Sequence, residues 1–289
     1  MTGRSRKGLL AARAYPAAMP APEVIVLDDA RDPRLDPYRD LSDAAARRAI
    51  EAEQGLFVAE GTTVIRRLLA SSHPVRSLLL LPAVLEALRP DLAGRDLTVL
   101  VAERDVLGQV AGFDVHRGAL AVASRPAPSD PASLLRSART VAVLEAVNDH
   151  ENLGAIGRSA GALGVDALLL DPTCADPLYR RSIRVSMGEL LFLPWARLTR
   201  WPDALRTVHD HGLTVVALTP AADAAPLEDV LDEEPGPIAL LLGAEGPGLS
   251  PAALAMADRR ARIPLTAGRD SLNVGHAAAI AFHAIARRR

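Results

Sequence analysis

Three groups of residues in this chain have types and spacings that could do chemistry, and each follows a short apolar run. The last spans Arg262 to Ala284, RIPLTAGRDSLNVGHAAAIAFHA. An apolar run ending at Ile263-Pro264-Leu265 passes through small and polar residues into an Ala-rich helix, which places Ser271 and Asn273 at a helix N-terminus. Unpaired backbone N–H groups and the helix dipole favour anions and hydrogen-bond acceptors there, although a plain strand, cap and helix reads the same way. The first group, Glu145 to Ala160 (EAVNDHENLGAIGRSA), also runs from strand to helix and sets Asn152 and Arg158 near the carboxyl edge of a sheet. An arginine in the first helical turns opposes the dipole unless an anion compensates. A phosphate would serve, and so would the carboxylate of a structural salt bridge. The second group, Leu240 to Ser250 (LLLGAEGPGLS), sets Glu245 among glycines that let the backbone approach a ligand closely or take positive φ. A carboxylate in such a loop also serves as a turn or capping residue.

The elements that must position these groups alternate between strand and helix. Strands are predicted over Glu23–Leu27, Gly55–Glu60, Val75–Leu81, Asp96–Val101 and Ala119–Ser124, with helices over Ser42–Glu53 and Thr62–Ala70. After the Pro-rich Pro126–Pro131 the pattern repeats. Strands Thr140–Ala146, Ala167–Leu170, Thr214–Leu218, Ile238–Leu242 and Ala261–Ile263 are separated by helices over Ile156–Leu163, Ser182–Leu191, Pro202–His211 and Pro251–Ala257. Runs such as VVAL and IALLL are apolar throughout, as in strands covered on both faces. The fold class is therefore α/β, built on parallel or mostly parallel sheets, with ligands expected beyond the carboxyl ends of the strands. A chain of 289 residues exceeds a single ordinary core, so two domains are expected. The divisions fall at 1–22 (a basic arm and linker), 23–125 (a smaller N-terminal α/β domain), 126–137 (a linker) and 138–289 (the C-terminal α/β domain).

Composition narrows the function. A net charge of −2 argues against coating nucleic acid by bulk electrostatics but leaves room for local patches of arginine, which carries nearly all the positive charge because Lys7 is the only lysine. One cysteine, Cys174, excludes a disulfide framework and a cysteine-based metal cluster; no metal is expected, and a reducing cytoplasm is the natural compartment. No apolar run is long enough to span a bilayer. The phosphate-loop signatures G-x-x-x-x-G-K-S/T and G-x-G-x-x-G are both absent, which disfavours a P-loop NTPase or an ordinary dinucleotide-binding enzyme.

The ordered set N-x-G-x-x-x-R, then G-A-E-G-P-G, then I-P-L with S-L-N-V is more specific than any of its parts. On these motifs, from Val141 to the C-terminus, the chain resembles the SpoU-type, or TrmH-like, RNA ribose 2′-O-methyltransferases of the SPOUT superfamily. Phe57–Leu69 (FVAEGTTVIRRLL) and His116–Ala123 (HRGALAVA) resemble the small substrate-binding domain of many members, similar to a ribosomal-protein fold. The resemblance implies a parallel sheet with a deep trefoil knot, S-adenosyl-L-methionine as cofactor, a homodimer with active sites at its interface, and structured RNA as partner, rRNA first and tRNA second. By position it implies cofactor contacts at Gly243, Ile263 and Leu272, with Leu218, Thr219, Leu242 and Leu265 completing the pocket. Arg158 would lie beside the ribose 2′-hydroxyl as base or electrostatic anchor, with Asn152, Glu245, Ser271 and Asn273 orienting it, the ribose and the knot loops.

Arg180, Arg181 and Arg184, followed by R-V-S-M-G, resemble the family's R-x-S-x-G and imply an RNA phosphate contact, with Ser186 lining the substrate pocket; a solvated helix face is the plain alternative. Gly275 and His276 depart from the usual continuation of S-L-N-V, and His276 reads as a structural histidine near the cofactor or the dimer interface. A knotted RNA-binding protein without catalysis is the competing reading. The retained Asn152, Arg158, Glu245 and Asn273 weigh against it.

Overall fold

Short β-branched and leucine-rich runs separated by glycine turns and capped helices build two sheets. A computed structural model describes residues 21–43, 53–266, 269 and 271–288. The basic arm and most of the helix expected over Ser42–Glu53 lie outside the described residues.

The first sheet comprises β1 (Glu23–Leu27), β2 (Leu56–Glu60), β3 (Val75–Leu80), β4 (Thr98–Ala102) and β5 (Ala119–Ser124), in the order β1-β4-β3-β5-β2. Helices α1 (Thr62–Ala70), α2 (Pro82–Leu92) and α3 (Arg104–Ala111) connect the strands. The expectation of parallel strands fails at β5, which pairs antiparallel with both β2 and β3. The reason is local. Helix α3 has only 8 residues, and the turn after it returns the chain to the edge it had just left, where the Leu81 N–H donates to Gly118 O at 2.9 Å. From there β5 can only run back across the sheet.

The second sheet is parallel throughout, in the order β10-β12-β9-β11-β6-β7-β8. Its strands are β6 (Thr140–Glu145), β7 (Ala167–Leu170), β8 (Trp195–Arg197), β9 (Thr214–Leu218), β10 (Ala225–Pro226), β11 (Ile238–Gly243) and β12 (Arg259–Arg262). They are covered by α4 (Pro131–Leu135), α5 (His150–Ala162), α6 (Arg180–Val185), α7 (Leu205–Asp210), α8 (Leu227–Glu233), α9 (Pro251–Ala255) and α10 (Val274–Ala286). Because β12, β9, β11 and β6 are neighbours, the loops that follow them emerge side by side at one edge. This order is what gathers residues from distant parts of the sequence into one place.

Three further expectations are adjusted. The segment read as a linker over 126–137 contains α4, capped by Asp130, and Leu135 is buried in the second core. The helix expected over Ser182–Leu191 is two pieces, α6 and a 3-10 turn at Glu189–Leu191, separated by positive φ at Met187 and Gly188. The helix expected from Ile156 begins at His150, where the Asp149 carboxylate accepts from the Glu151 and Asn152 N–H groups. The two halves also share apolar packing. Leu178, Ile183 and Leu191 from the second half are buried in the same core as Phe57, Val64 and Leu80 from the first.

Candidate cofactor and RNA site

The site is built outward from the first turn of α10. The Asn273 side-chain oxygen accepts from the N–H groups of Gly275 (2.9 Å) and His276 (3.2 Å), which caps the helix and fixes the amide's orientation. Its Nδ2 therefore faces away from α10 and donates to Asn152 Oδ1 at 2.8 Å and to Glu245 Oε1. One asparagine thus ties together all three loops singled out in the sequence. Gly275 lets α10 approach α5 closely: a Cβ there would sit 3.0 Å from Ala155 Cβ.

Beside Asn273, between the segments that follow β9, β11 and β12, lies a cavity of about 380 Å³, within the range of small-molecule sites. Leu218, Thr219, Leu242, Gly243, Ile263, Leu265 and Leu272 all line it, as do Glu245, Ser271 and Asn273. Pro220, Val274, Ala277 and the Ala244, Gly246 and Gly248 backbone complete the wall. Gly243 is required by close approach, since a Cβ would fall 2.4 Å from the Gly248 carbonyl carbon, where the loop folds back on its own strand. Among the described residues the lining carries one carboxylate, Glu245, and no basic side chain.

The loop is anchored from below by Glu145, which sequence reasoning assigned no role. This carboxylate ends β6, paired in register with Gly243, and is only 5% exposed. It accepts from the Ser250 N–H (2.8 Å), the Ser250 hydroxyl (2.6 Å) and the Trp201 indole N–H (2.6 Å). Ser250 in turn caps α9, accepting from the Ala253 N–H at 3.1 Å. An acid closing the otherwise apolar run TVAVLE was the signal available in the sequence, because a charge at the end of a doubly covered strand needs partners. Beside it, buried Asp171 accepts from the N–H groups of Ala146, Thr173 and Cys174, and so holds Ala146 at a φ of 54°. Burial, reinforced by the Asp171 charge, pushes the Cys174 thiol up to about 12, and its Sγ donates to Leu144 O; this cysteine is structural.

The remaining expected residues lie elsewhere. Arg158 is exposed on α5, more than two turns beyond the Asp149 cap, so the dipole penalty expected for the first turns does not act on it. It lines no part of the cavity and forms no ion pair or hydrogen bond among the described residues. Arg180, Arg181 and Arg184 sit on α6, where Arg180 and Arg184 meet Glu60 of the first sheet and Arg181 pairs with Glu151 at 2.5 Å. Ser186, expected to line a substrate pocket, is fully buried and donates to Ile183 O. The α6 turn draws it inward, away from any surface that RNA could touch. His276 is exposed on the first turn of α10. Gly154 packs so closely on α6 that a Cβ would lie 2.7 Å from Val185 Cβ, which accounts for the glycine of the N-x-G motif.

Residues 139–283 match the SpoU rRNA Methylase family. The chain is 47% identical to an uncharacterised tRNA/rRNA methyltransferase of Mycobacterium tuberculosis, over 88% of this chain and 89% of that protein. It is 30% identical to a 23S rRNA (guanosine-2′-O-)-methyltransferase of Yersinia pestis, over 71% of this chain and 84% of that one. In structure it is similar to an AdoMet-bound rRNA methyltransferase from Sinorhizobium meliloti, with a TM-score of 0.77 and 26% identity over 91% of this chain and 98% of that one. Motif order, loop convergence and these likenesses agree, and the chain belongs to the SpoU methylase family.

Proposed function

We infer that this protein transfers a methyl group from S-adenosyl-L-methionine to a ribose 2′-hydroxyl of structured RNA, with rRNA as the first candidate and tRNA the second. The observation that carries this reading is the cavity walled by residues of the second and third family motifs, where Asn273 also hydrogen-bonds Asn152 of the first. Its lining fits the cofactor. Apolar side chains and strand-end backbone suit a neutral adenine, and a wall that among the described residues carries one carboxylate and no basic side chain suits a ligand that carries a sulfonium. S-adenosyl-L-methionine, when bound, supplies the activated methyl.

The residues do the rest. Asn273 and Asn152 keep Glu245 and the first turn of α10 in a fixed relation, so the ligand meets a preorganised wall there. The 2′-hydroxyl forms its new O–C bond as the S–C bond breaks, and its proton must leave. A guanidinium stays protonated in proteins, so Arg158 acts by holding the phosphate and stabilising the developing oxyanion while solvent takes the proton. Arg158 stands outside its own chain's cavity, and α10 exposes Ile280 on the outer face of the same helix pair. Both features support a homodimer in which the partner copy completes each site. By the same resemblance, the segment from β12 to α10 forms a deep trefoil knot and the first sheet is an RNA-binding domain of ribosomal-protein type. No helix among the described residues is long and apolar enough to cross a membrane.

Isothermal titration with S-adenosylmethionine, S-adenosylhomocysteine, ATP and NAD tests the reading. Binding of the first pair alone is expected, followed by transfer of labelled methyl to rRNA in preference to tRNA. Binding of ATP or NAD instead would overturn it.

A further inference from the structure

Five of the chain's seven histidines have a partner for the ring. His73 packs against Phe57 and His150 against Tyr179, His116 and His209 meet Asp114 and Asp258, and His211 donates to the Thr207 carbonyl. The rings of His276 and His283 have no partner among the described residues. His283 stands in the last turn of α10, where a histidine complements the negative end of the helix dipole. His276 is in the first turn of the same helix, and only its backbone N–H is engaged, donating to Asn273 Oδ1 at 3.2 Å. The residue is exposed. A structural histidine is fixed by contacts of its ring, and among the described residues this ring makes none.

Its surroundings are those of the site. Asn273, Val274 and Ala277 line the cavity, and His276 lies on the turn between them, one residue and about 100° around the axis from Ala277. Its other neighbour, Gly275, marks the place where α10 meets α5 at Ala155, one turn before Arg158. His276 therefore stands at the rim of the cavity, where the wall and the α5 contact join. The charged groups on the elements around this turn are Glu151 and Arg158 of α5, Glu228 and Asp229 of α8, Glu245 after β11 and Arg269 in the preceding loop. Glu245 is engaged by Asn273 and Glu151 by Arg181. Carboxylates are weak bases at neutral pH and guanidinium groups keep their protons. Among these groups the imidazole is the one matched to taking a proton near pH 7.

We propose that His276 accepts, through one water molecule, the proton released by the ribose 2′-hydroxyl. The proposal rests on the RNA-methyltransferase reading and deepens it, by giving the proton that leaves through solvent a destination on the protein. Arg158 keeps its role of holding the phosphate. The hydroxyl oxygen gives up its proton as it gains the methyl carbon. The methyl donor's positive charge is lost in the same step and an equal charge appears on the imidazolium, so the net charge of the site is unchanged. Because the ring is exposed, it returns the proton to solvent without any rearrangement of the wall.

The test is methyl transfer by the full-length protein to an rRNA transcript, followed across pH for wild type, His276→Gln and His276→Ala. At neutral pH kcat should fall by about 10²-fold in both variants, the low end for a lost proton acceptor because water remains, with the affinity for S-adenosylmethionine unchanged. The variant rates should go on rising with pH where the wild-type rate has levelled off, and added imidazole should restore part of the rate in His276→Ala but not in wild type. A histidine that only supports the fold would move neither the pH profile nor the rescue. A second readout needs no turnover. Diethyl pyrocarbonate, read by mass spectrometry, should modify both His276 and His283 in the free protein, and bound transcript should shield His276 while leaving His283 reactive. Variants that match the wild type in rate and pH profile, or a His276 that RNA leaves unshielded, would overturn the proposal while wild-type transfer still upheld the enzymatic reading. A wild type that transfers no methyl to RNA would remove that reading and the proposal with it.

Discussion

Glu145 and Glu60 are both glutamates at the end of a strand, both 5% exposed, and they are satisfied in opposite ways. Glu145 accepts from one backbone N–H, one hydroxyl and one indole, all neutral and all within the second half of the chain. Glu60 is met by two guanidinium groups that reach it from the other half. Neutral donors buried around a carboxylate offer nothing to a passing anion, so the loop that Glu145 fixes stays preorganised whatever binds nearby. Charged partners can be shared or taken over by phosphate. The molecule thus holds the loop after β11 through neutral donors and the seam between its two halves through charged ones.

Helix α5 separates the two regions, with Asn152 facing the cofactor side and Glu151 the seam, and Arg158 belongs to neither network. Replacing Arg158 with alanine should give the largest effect: methyl transfer lower by about 10²–10⁴-fold with S-adenosylmethionine affinity retained, measured by labelled-methyl incorporation and titration. Unchanged transfer would remove Arg158 from the mechanism.

Glu145→Ala strikes the neutral network. It leaves the half-buried Ser250 N–H and Trp201 indole without this acceptor, and should cost about 1–2 kcal/mol in denaturant unfolding and weaken cofactor binding without changing the salt dependence of RNA binding. A loss confined to RNA affinity would erase the contrast between the two glutamates. The smallest effect concerns the seam. His73 packs edge-on against Phe57, with ring centroids 5.2 Å apart, and burial holds its pKa below the usual histidine value. The unfolded chain then binds the proton more readily. The His73 contribution is full above the ordinary histidine pKa near 6.5 and is lost as pH falls from there through the lowered folded value. Because the ring is half exposed, the loss should lower Tm by under about 2 °C between about pH 7 and pH 5, and His73→Gln should flatten that part of the curve.

Much of the cavity was legible in the sequence. Apolar runs marked β9, β11 and β6, and in a parallel sheet the loops after neighbouring strands must share an edge. Leu218, Gly243, Ile263 and Leu272 therefore meet although they are far apart in the chain. The cap at Asn273 was visible in the change from polar loop to Ala-rich helix. The supporting contacts were not. Glu145 meets Ser250 across 105 positions and Arg180 meets Glu60 across 120, and no periodicity encodes a partner at such separations. The direction of β5 escaped for a related reason, since strand composition is blind to orientation and only the tight return at Gly118 decides it. The burial of Ser186 was not legible either, because a motif match says nothing of the turn after α6 that draws it inward.

The hydrogen bond from Trp201 to Glu145 has a consequence for following this protein in solution. The indole shares its acceptor with Ser250, at the end of the glycine loop that forms the cofactor wall, so a shift of that loop alters the polarity around the chromophore. The chain has two tryptophans, and Trp195 lies on the far edge strand β8. A Trp195→Phe background would leave a single intrinsic fluorophore whose emission wavelength reports loop closure in real time, with no dye attached.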